Sequence, residues 1–340
     1  MVANTWALKF MQHQTTFTRR QLLQAASAAA IAPTALVSQA QQAWPRKPIR
    51  LIVPFAAAGQ SDLVARYIAK AVGDELQQSV VVENVTGATG MIGAAAAARA
   101  EPDGHTLVYT NAALIMANQF LFKTMPLQPL TDLTPVVQLG IPTHALVIRP
   151  TLKANTVAEF VRLAKQNPGA FNYGSWGTGS SIHIYGEMLQ KLTGIQMTHV
   201  PFRGAAPALQ ELMAGRLDAM FVDYGTAAAF LKAQSVTPLA VVAPRRFPLM
   251  PDVPTFTELG IPLDLVGWNG LHVPVKTPKE PIDQLAAMVV RLLKTADAKD
   301  KLLQYGLDAT GVGPAEFASV IARDTPRWGK AIKDAGVEPQ

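Results

Sequence analysis

The feature that most constrains the fold of this 340-residue chain is a repeated unit: a short apolar run, a turn rich in glycine, serine or proline, and then a helical pattern. Such alternation is typical of parallel strands covered by crossover helices. The apolar run 49–53 predicts a strand, and apolar residues at helical spacing predict a helix over 61–76. Four turns of this kind occur, at 54–62, 86–90, 174–181 and 201–205.

Chain length and the breaks in this pattern predict two lobes. A chain of 340 residues exceeds what one hydrophobic core usually supports. Glycine and proline interrupt the pattern at 140–143 and again within 260–269, which indicates two linkers. We therefore expect an α/β protein with a discontinuous first lobe, 44–142 and 266–340, and a second lobe, 143–265. Two crossings between the lobes would permit hinge closure around a ligand.

Residues 1–40 predict an export signal. The pair Arg19-Arg20 precedes a mildly apolar, alanine-rich run at 25–37, and small residues up to Ala40 offer a cleavage site. Paired arginines ahead of a weak apolar stretch resemble a twin-arginine signal, and a Sec signal is the alternative. Met11 is a second candidate for the first residue of the precursor. We expect cleavage near Ala40 and a periplasmic location for the mature chain.

Charge and cysteine content argue against several classes of site. Of the formal net charge of +6, three units come from Lys9 and the arginine pair, so the chain beyond residue 40 is too weakly basic for a nucleic-acid surface. The absence of cysteine excludes disulfides and thiolate metal sites. The histidines lack the spacing of helical metal ligands, and Gly177 with Gly179 lacks the rest of a dinucleotide motif. We therefore expect no metal, no cofactor and no nucleic-acid partner.

The turns themselves predict an anion-binding cleft. In open parallel sheets such turns gather at the carboxyl ends of the strands, where ligands bind. A helix N-terminus carries unpaired N–H groups and about half a positive charge, so it attracts anions without a basic side chain. One turn of this kind is more often an ordinary capped connection, whereas four in register indicate a shared cleft. Hydroxyl donors for a carboxylate would come from Ser61, Ser175, Ser180 and Ser181.

Six short motifs punctuate the chain beyond Pro45. They are Val-Pro-Phe-Ala-Ala-Ala-Gly-Gln-Ser-Asp at 53–62, Glu-Asn at 83–84 with the glycine-rich 87–93, Pro-Asp-Gly-His-Thr-Leu at 102–107, His-Val-Pro-Phe-Arg-Gly at 199–204, Gly-Arg-Leu-Asp at 215–218 and Pro-Asp-Val-Pro-Thr at 251–255. Their identity and order resemble the substrate-binding proteins of tripartite tricarboxylate transporters, also called the Bug family. Six motifs in family order are far more specific than any one glycine loop.

The resemblance implies a type II periplasmic-binding-protein fold, the Venus flytrap, with two lobes that are each a mostly parallel sheet flanked by helices. It also implies that loop backbone groups, hydroxyls and ordered waters hold a ligand carboxylate, so we expect a small organic acid as the ligand. Carried over by position, the first-lobe contacts are Phe55, Ala58, Gly59, Ser61 and Asp62. The second-lobe contacts are Ser175, Gly179, Ser180, His183, Phe202, Gly204, Asp223 and Tyr224.

The chain departs from the family pattern in three places. Ala58-Gly59 stands where the first loop commonly has two glycines, and 85–90 reads Val-Thr-Gly-Ala-Thr-Gly where Arg-Pro-Gly-Ala-Gly-Gly is common. Asp223-Tyr224 replaces the usual Asp/Gly-Asn pair. Trp176 and Tyr224 would give the distal half of the cleft a flat apolar wall, which suits an aromatic or bulky acid. The alternative is that Trp176 covers the loop against its own lobe.

These features predict a solute-binding protein that delivers its ligand to the membrane components of a tripartite tricarboxylate-type transporter. A sensor that presents the ligand to a signalling receptor is the alternative, and we expect a monomer. An exported serine hydrolase is disfavoured: Ser175, His183 and Asp218 are the residue types of a triad, but Tyr173 stands where the nucleophile elbow needs glycine. The sequence therefore predicts binding without catalysis.

Overall fold

The computed structural model describes residues 44–339, so the predicted export signal at 1–40 lies outside the described residues. The strands are β1 (Ile49–Val53), β2 (Val80–Asn84), β3 (Thr106–Asn111), β4 (Leu133–Pro142), β5 (His144–Ile148), β6 (Phe171–Ser175), β7 (Met197–Pro201), β8 (Ala219–Asp223), β9 (Thr237–Val242), β10 (Asn269–Pro274) and β11 (Leu307–Val312). The α-helices are α1 (Gln60–Leu76), α2 (Met91–Ala98), α3 (Asn118–Leu121), α4 (Pro129–Asp132), α5 (Val157–Gln166), α6 (Ser181–Thr193), α7 (Ala205–Met213), α8 (Tyr224–Lys232), α9 (Lys279–Leu293), α10 (Ala296–Gln304) and α11 (Pro314–Asp334).

The strands form two sheets. One has six strands in the order β11-β4-β10-β3-β1-β2, and the other has five in the order β7-β6-β8-β5-β9. Three neighbouring strands run parallel in each sheet, β3, β1 and β2 in the first and β8, β6 and β7 in the second. The remaining pairs are antiparallel. The predicted two-lobed α/β fold is confirmed, but each sheet is mixed, because the strands that carry the chain between the sheets run against their neighbours.

The chain passes abruptly from one sheet to the other. β4 ends at Pro142 in the six-stranded sheet, and β5 begins at His144 in the five-stranded sheet. The return lies between the end of β9 at Val242 and the start of β10 at Asn269. The strands on either side of both predicted linkers therefore belong to different sheets, while the lobe boundaries themselves stay a prediction.

Helix α1 illustrates how apolar spacing fixes an element on its sheet. Val64, Ile68 and Val72 recur at helical spacing and are buried. They share one hydrophobic cluster with Leu51 and Val53 of β1. Burying a side chain of this size contributes about 1.5–3 kcal/mol. The packing therefore fixes the first turn of α1 at the carboxyl end of the sheet.

The last part of the chain consists of α9, α10 and α11, with β11 inserted before α11. Helix α11 buries Phe317, Trp328 and Ile332 in the core. No helix within residues 44–339 is both long enough and apolar enough to cross a membrane.

Candidate functional site

A cavity of about 530 Å³ lies where the parallel strands of both sheets end. Each of the four predicted turns contributes to its wall. Residues 54–56 and 59–61 follow β1, 86–90 follow β2, 176, 177, 180 and 181 follow β6, and 202–205 follow β7. The ends of β3 and β8 add Asn111 and Asp223. The fold thus brings together, at one place, turns that lie far apart in the sequence.

The predicted site residues divide into two groups by their position. Those that line the cavity are Phe55, Gly59, Ser61, Trp176, Ser180, Phe202, Gly204 and Asp223. Those placed outside the lining are Ala58, Asp62, Ser175, Gly179, His183 and Tyr224. Their roles as ligand contacts stay predictions of the resemblance, but the second group has contacts within the protein that define structural roles.

Asp62 holds the turn that follows β1. Its Oδ2 accepts hydrogen bonds from the Ala58 amide and from Arg66 Nε, each at 3.0 Å, and its Oδ1 accepts one from Asn84 Nδ2 at 3.0 Å. Burial by itself would raise the pKa of the Asp62 carboxyl, but these hydrogen bonds and the Arg66 charge outweigh it and lower the pKa. Asp62 is therefore ionised, and its hydrogen bonds connect the turn after β1 to Asn84 at the end of β2.

Ser175 and His183 brace the turn that follows β6. The fully buried Ser175 hydroxyl lies 2.7 Å from His199 Nε2 and also bonds to the Gly177 backbone. His183 Nδ1 accepts a hydrogen bond from the Gly179 amide at 3.2 Å, and the His183 and His199 rings stack at 4.1 Å. Burial lowers the pKa of His183 to about 4 and that of His199 to about 3, so both rings are neutral near pH 7.

The residues considered for a hydrolase triad are not assembled into one. Ser175 pairs with His199 and not with His183. Asp218 instead accepts hydrogen bonds from Arg149 Nε and from the Asn172 amide, each at 2.8 Å. A triad needs its carboxylate on the histidine that activates the nucleophile, and Asp218 is engaged elsewhere.

Three helices, α1, α2 and α7, begin at the cavity without a side-chain cap. The N-cap residues of α1 and α7 are Gly59 and Gly204, and neither N-terminus receives a side-chain hydrogen bond. By contrast, Ser180 caps α6 and Asp223 caps α8. The uncapped N-termini of α1 and α7 come from opposite sheets, and a Cβ placed on Gly204 would lie 3.9 Å from the Cβ of Ala56. Amide groups of two facing turns are therefore available to one anion.

Glycine is required in three of these turns by backbone geometry. Gly87, Gly177 and Gly204 have φ values of 127°, 124° and 132°. This region of φ is accessible essentially to glycine alone. The glycines predicted from the repeated turn pattern thus allow the chain to reverse beside the cavity while its amide groups stay exposed to a ligand.

The charged side chains of the cavity wall nearly cancel. Arg203 is exposed, and Asp223 is buried with its carboxylate bonded to the Thr226 amide at 2.8 Å and hydroxyl at 2.9 Å. Burial raises the pKa of Asp223, and it lowers the pKa of His144 to about 4, which leaves that imidazole neutral. Attraction for an anion at this site therefore depends chiefly on oriented backbone groups.

Aromatic side chains form much of the remaining wall. Trp176 lines the cavity and its ring lies 6.0 Å from that of His144. Tyr224, predicted to share the distal wall, packs its ring against Phe247 at 4.8 Å instead. Aromatic lining residues that the sequence did not single out are Tyr185, Trp268 and Trp328. Trp268 and Trp328 lie far from the four turns in the sequence, and Tyr185 lies within α6, beyond the turn that precedes this helix, so no local signal marked them.

A second, smaller cavity of about 370 Å³ lies against α6 and α11 and is lined by Met188, Lys191, Leu265 and Arg327, among others. None of the four turns contributes to it. Within residues 44–339, no group of three histidine or acidic side chains is placed to hold a metal ion. The larger cavity is therefore the candidate site.

Comparisons with known proteins agree with this geometry. The sequence profile of the tripartite tricarboxylate transporter family receptors (TctC) matches residues 64–337. A UPF0065 protein of Pseudomonas sp. is 32% identical over 316 residues, covering 92% of this chain and 94% of the relative. The R. palustris protein Rpa4515, solved with adipate, has a TM-score of 0.85 at 30% identity and covers 88% of this chain and 100% of its own. The periplasmic binding protein BugD has a TM-score of 0.81 at 29% identity, with 87% and 100% covered. The chain therefore belongs to the tripartite tricarboxylate transporter receptor family, the solute-binding proteins that include the Bug proteins.

Proposed function

We propose that the mature chain works in the periplasm, where it captures a small organic acid and delivers it to the membrane components of a tripartite tricarboxylate-type transporter. The observation that carries this proposal is the convergence of six strand ends, from both sheets, on one cavity. Two sheets joined by two crossings can close around a solute and open again. Such a cavity suits capture and release.

The chemistry of the wall favours a carboxylate as the captured group. Uncapped helix N-termini at Gly59 and Gly204 offer N–H donors from both sides, and each such terminus stabilises a negative charge by about 0.3–2 kcal/mol. Ser61 and Ser181, two hydroxyl-bearing residues from opposite sheets, also line the cavity. The likeness to a protein solved with adipate supports the same class of ligand.

Binding without catalysis fits the surroundings of Ser175. Its hydroxyl is fully buried and already bonded to His199 and to the Gly177 backbone. A nucleophile must reach a substrate carbonyl, and its base must be oriented by a third group. We therefore expect no labelling of the purified protein by a fluorophosphonate serine-hydrolase probe, and labelling at Ser175 would contradict the proposal.

Thermal-shift measurements on the chain from residue 41 onward test the proposed function. The panel contains adipate, malate and benzoate, each beside its uncharged amide, so that every acid has a matched control. An acid at 100 times its dissociation constant adds about 2.7 kcal/mol to the free energy of unfolding. We expect at least one acid to raise the melting temperature while its amide does not. Equal responses to acids and amides, or none at all, would contradict capture of a carboxylate.

Replacing Trp176 by alanine is expected to weaken binding of the best acid in the panel by about tenfold, because it removes a large flat surface from the cavity wall. Calorimetric titration measures the change. Trp176→Phe should recover much of the lost affinity. Trp44 lies outside the cavity lining, so Trp44→Ala should leave the affinity unchanged. An unaltered dissociation constant for Trp176→Ala would assign Trp176 only to packing within its own lobe.

A further inference from the structure

The turn between β2 and α2 has an unusual backbone. Gly87, Ala88, Thr89 and Gly90 all have positive φ, at 127°, 44°, 49° and 95°. Runs of left-handed residues are rare because the Cβ of an L-residue then crowds the following carbonyl oxygen. Glycine tolerates this conformation, whereas a β-branched residue in it is a genuine outlier. Thr89 is therefore the most strained residue of the turn.

The side chain of Thr89 gains no hydrogen bond that offsets this strain. Its Oγ1 is buried and has no hydrogen-bond partner within residues 44–339. A buried hydroxyl without a partner destabilises the folded state. Threonine is thus unfavourable here on two counts, and local folding does not explain its presence. Strain that persists in a cavity wall is a reason to look for function at that point.

Thr89 lies where the two sheets approach each other across the cavity. It lines the cavity from the turn after β2, in the six-stranded sheet. A Cβ placed on Gly177, in the turn after β6 of the five-stranded sheet, would lie 3.5 Å from Thr89 Cγ2, which is ordinary van der Waals contact. Gly177 has a φ of 124°, a conformation that essentially only glycine adopts, so a residue with a side chain is disfavoured at this position. The Thr89 methyl is therefore the side-chain group that fills the gap between these two turns.

We propose that Thr89 is a specificity-determining residue: its methyl group narrows the cavity between the β2 and β6 turns, so that flat or linear acids fit and thicker or branched acids do not. This inference rests on the proposed function, because it takes an organic acid as the ligand. The methyl group affects the choice of ligand, whereas the backbone strain affects the stability of the ligand-free protein. Removing the side chain stabilises the ligand-free protein and at the same time relaxes the choice of ligand.

Three variants separate these consequences. Thr89→Gly removes both the side chain and the left-handed strain. Thr89→Val keeps the shape and the methyl group but removes the unpartnered hydroxyl. Lys153→Gly is the matched control, since Lys153 has a φ of 52°, is exposed and lies away from the cavity lining. Without ligand, Thr89→Gly and Lys153→Gly should each raise the melting temperature by about 2 °C, because each relieves one left-handed non-glycine residue.

Selectivity is measured as a ratio of dissociation constants within two matched pairs of acids, benzoate against cyclohexanecarboxylate and adipate against 3,3-dimethyladipate. We expect the wild-type protein and Thr89→Val to prefer the slimmer member of a pair by about tenfold, and Thr89→Gly to bring that ratio near one. An unchanged ratio in Thr89→Gly, or a melting temperature that does not rise, would overturn the inference. If none of the four acids binds the wild-type chain, it is the proposed function that fails, and the melting temperatures still decide whether Thr89 is strained.

Discussion

Replacing Gly204 by alanine is expected to weaken ligand binding by about tenfold to a hundredfold. Gly204 has φ 132° and ψ 166°, a conformation that costs other residues about 1–3 kcal/mol. An alanine would relieve this strain by rotating the backbone, which turns the uncapped amide groups of α7 away from the cavity. A hydrogen bond to a charged ligand group is worth about 1.5–3 kcal/mol, so the loss of one donor accounts for the expected change.

Gly215→Ala is the control for this substitution. Gly215 also has positive φ, at 76°, and a Cβ placed there would meet nothing within 4 Å. Both variants should lower the melting temperature of the ligand-free protein, because both impose a strained backbone. Calorimetric titration with the best carboxylate should show a weaker affinity for Gly204→Ala alone. Equal affinities in the two variants would show that the α7 N-terminus does not bind the ligand.

The protein is expected to lose stability steeply as the pH falls below about 6.5. Burial lowers the pKa of His144 to about 4 and that of His272 to about 3, whereas an unfolded histidine has a pKa of about 6.5. The unfolded state therefore binds protons that the folded state does not bind. As a result, the free energy of unfolding decreases as the pH falls below about 6.5. Between pH 7 and pH 5.5 these two residues together lower the free energy of unfolding by about 2–3 kcal/mol.

Chemical unfolding at a series of pH values measures this loss. His272→Gln removes one of the buried titrating groups, so the free energy of unfolding of this variant should fall by about 1 kcal/mol less than that of the wild type over the same interval. The comparison uses the change in the free energy of unfolding between pH 7 and pH 5.5 and not its absolute value, so it holds even if the variant is less stable at every pH. A stability that is flat from pH 7 to pH 5.5 would show that these histidines are solvated.

The parallel part of each sheet could be predicted from the sequence because its strands are followed by turns rich in glycine, serine or proline and then by amphipathic helices. The strand at 49–53 has the predicted bounds, and the helix predicted over 61–76 begins one residue earlier, at Gln60. The antiparallel strands β4, β10 and β11 were not predicted. β4 contains Pro135 and Gly140, and its end was assigned to a linker. Proline and glycine inside β4 interrupt its apolar pattern, so the local sequence does not distinguish this strand from a loop.

The candidate site was predictable at the level of turns but less so at the level of side chains. A serine or histidine in a glycine-rich turn can face the ligand or hold the turn, and sequence does not distinguish these orientations. Ser175 and His183 hold the turn after β6, while Ser180 both caps α6 and lines the cavity. Trp268 and Trp328 reach the cavity only through tertiary packing, which no local pattern records.

The central claim is that amide groups at the facing turns, and not a basic side chain, hold the ligand carboxylate. A crystal structure of the mature chain with its tightest-binding acid tests this claim most directly. We predict carboxylate oxygens within hydrogen-bond distance of backbone N–H groups at the N-termini of both α1 and α7. A carboxylate paired instead with the Arg203 guanidinium, or bound outside the 530 Å³ cavity, would contradict the account.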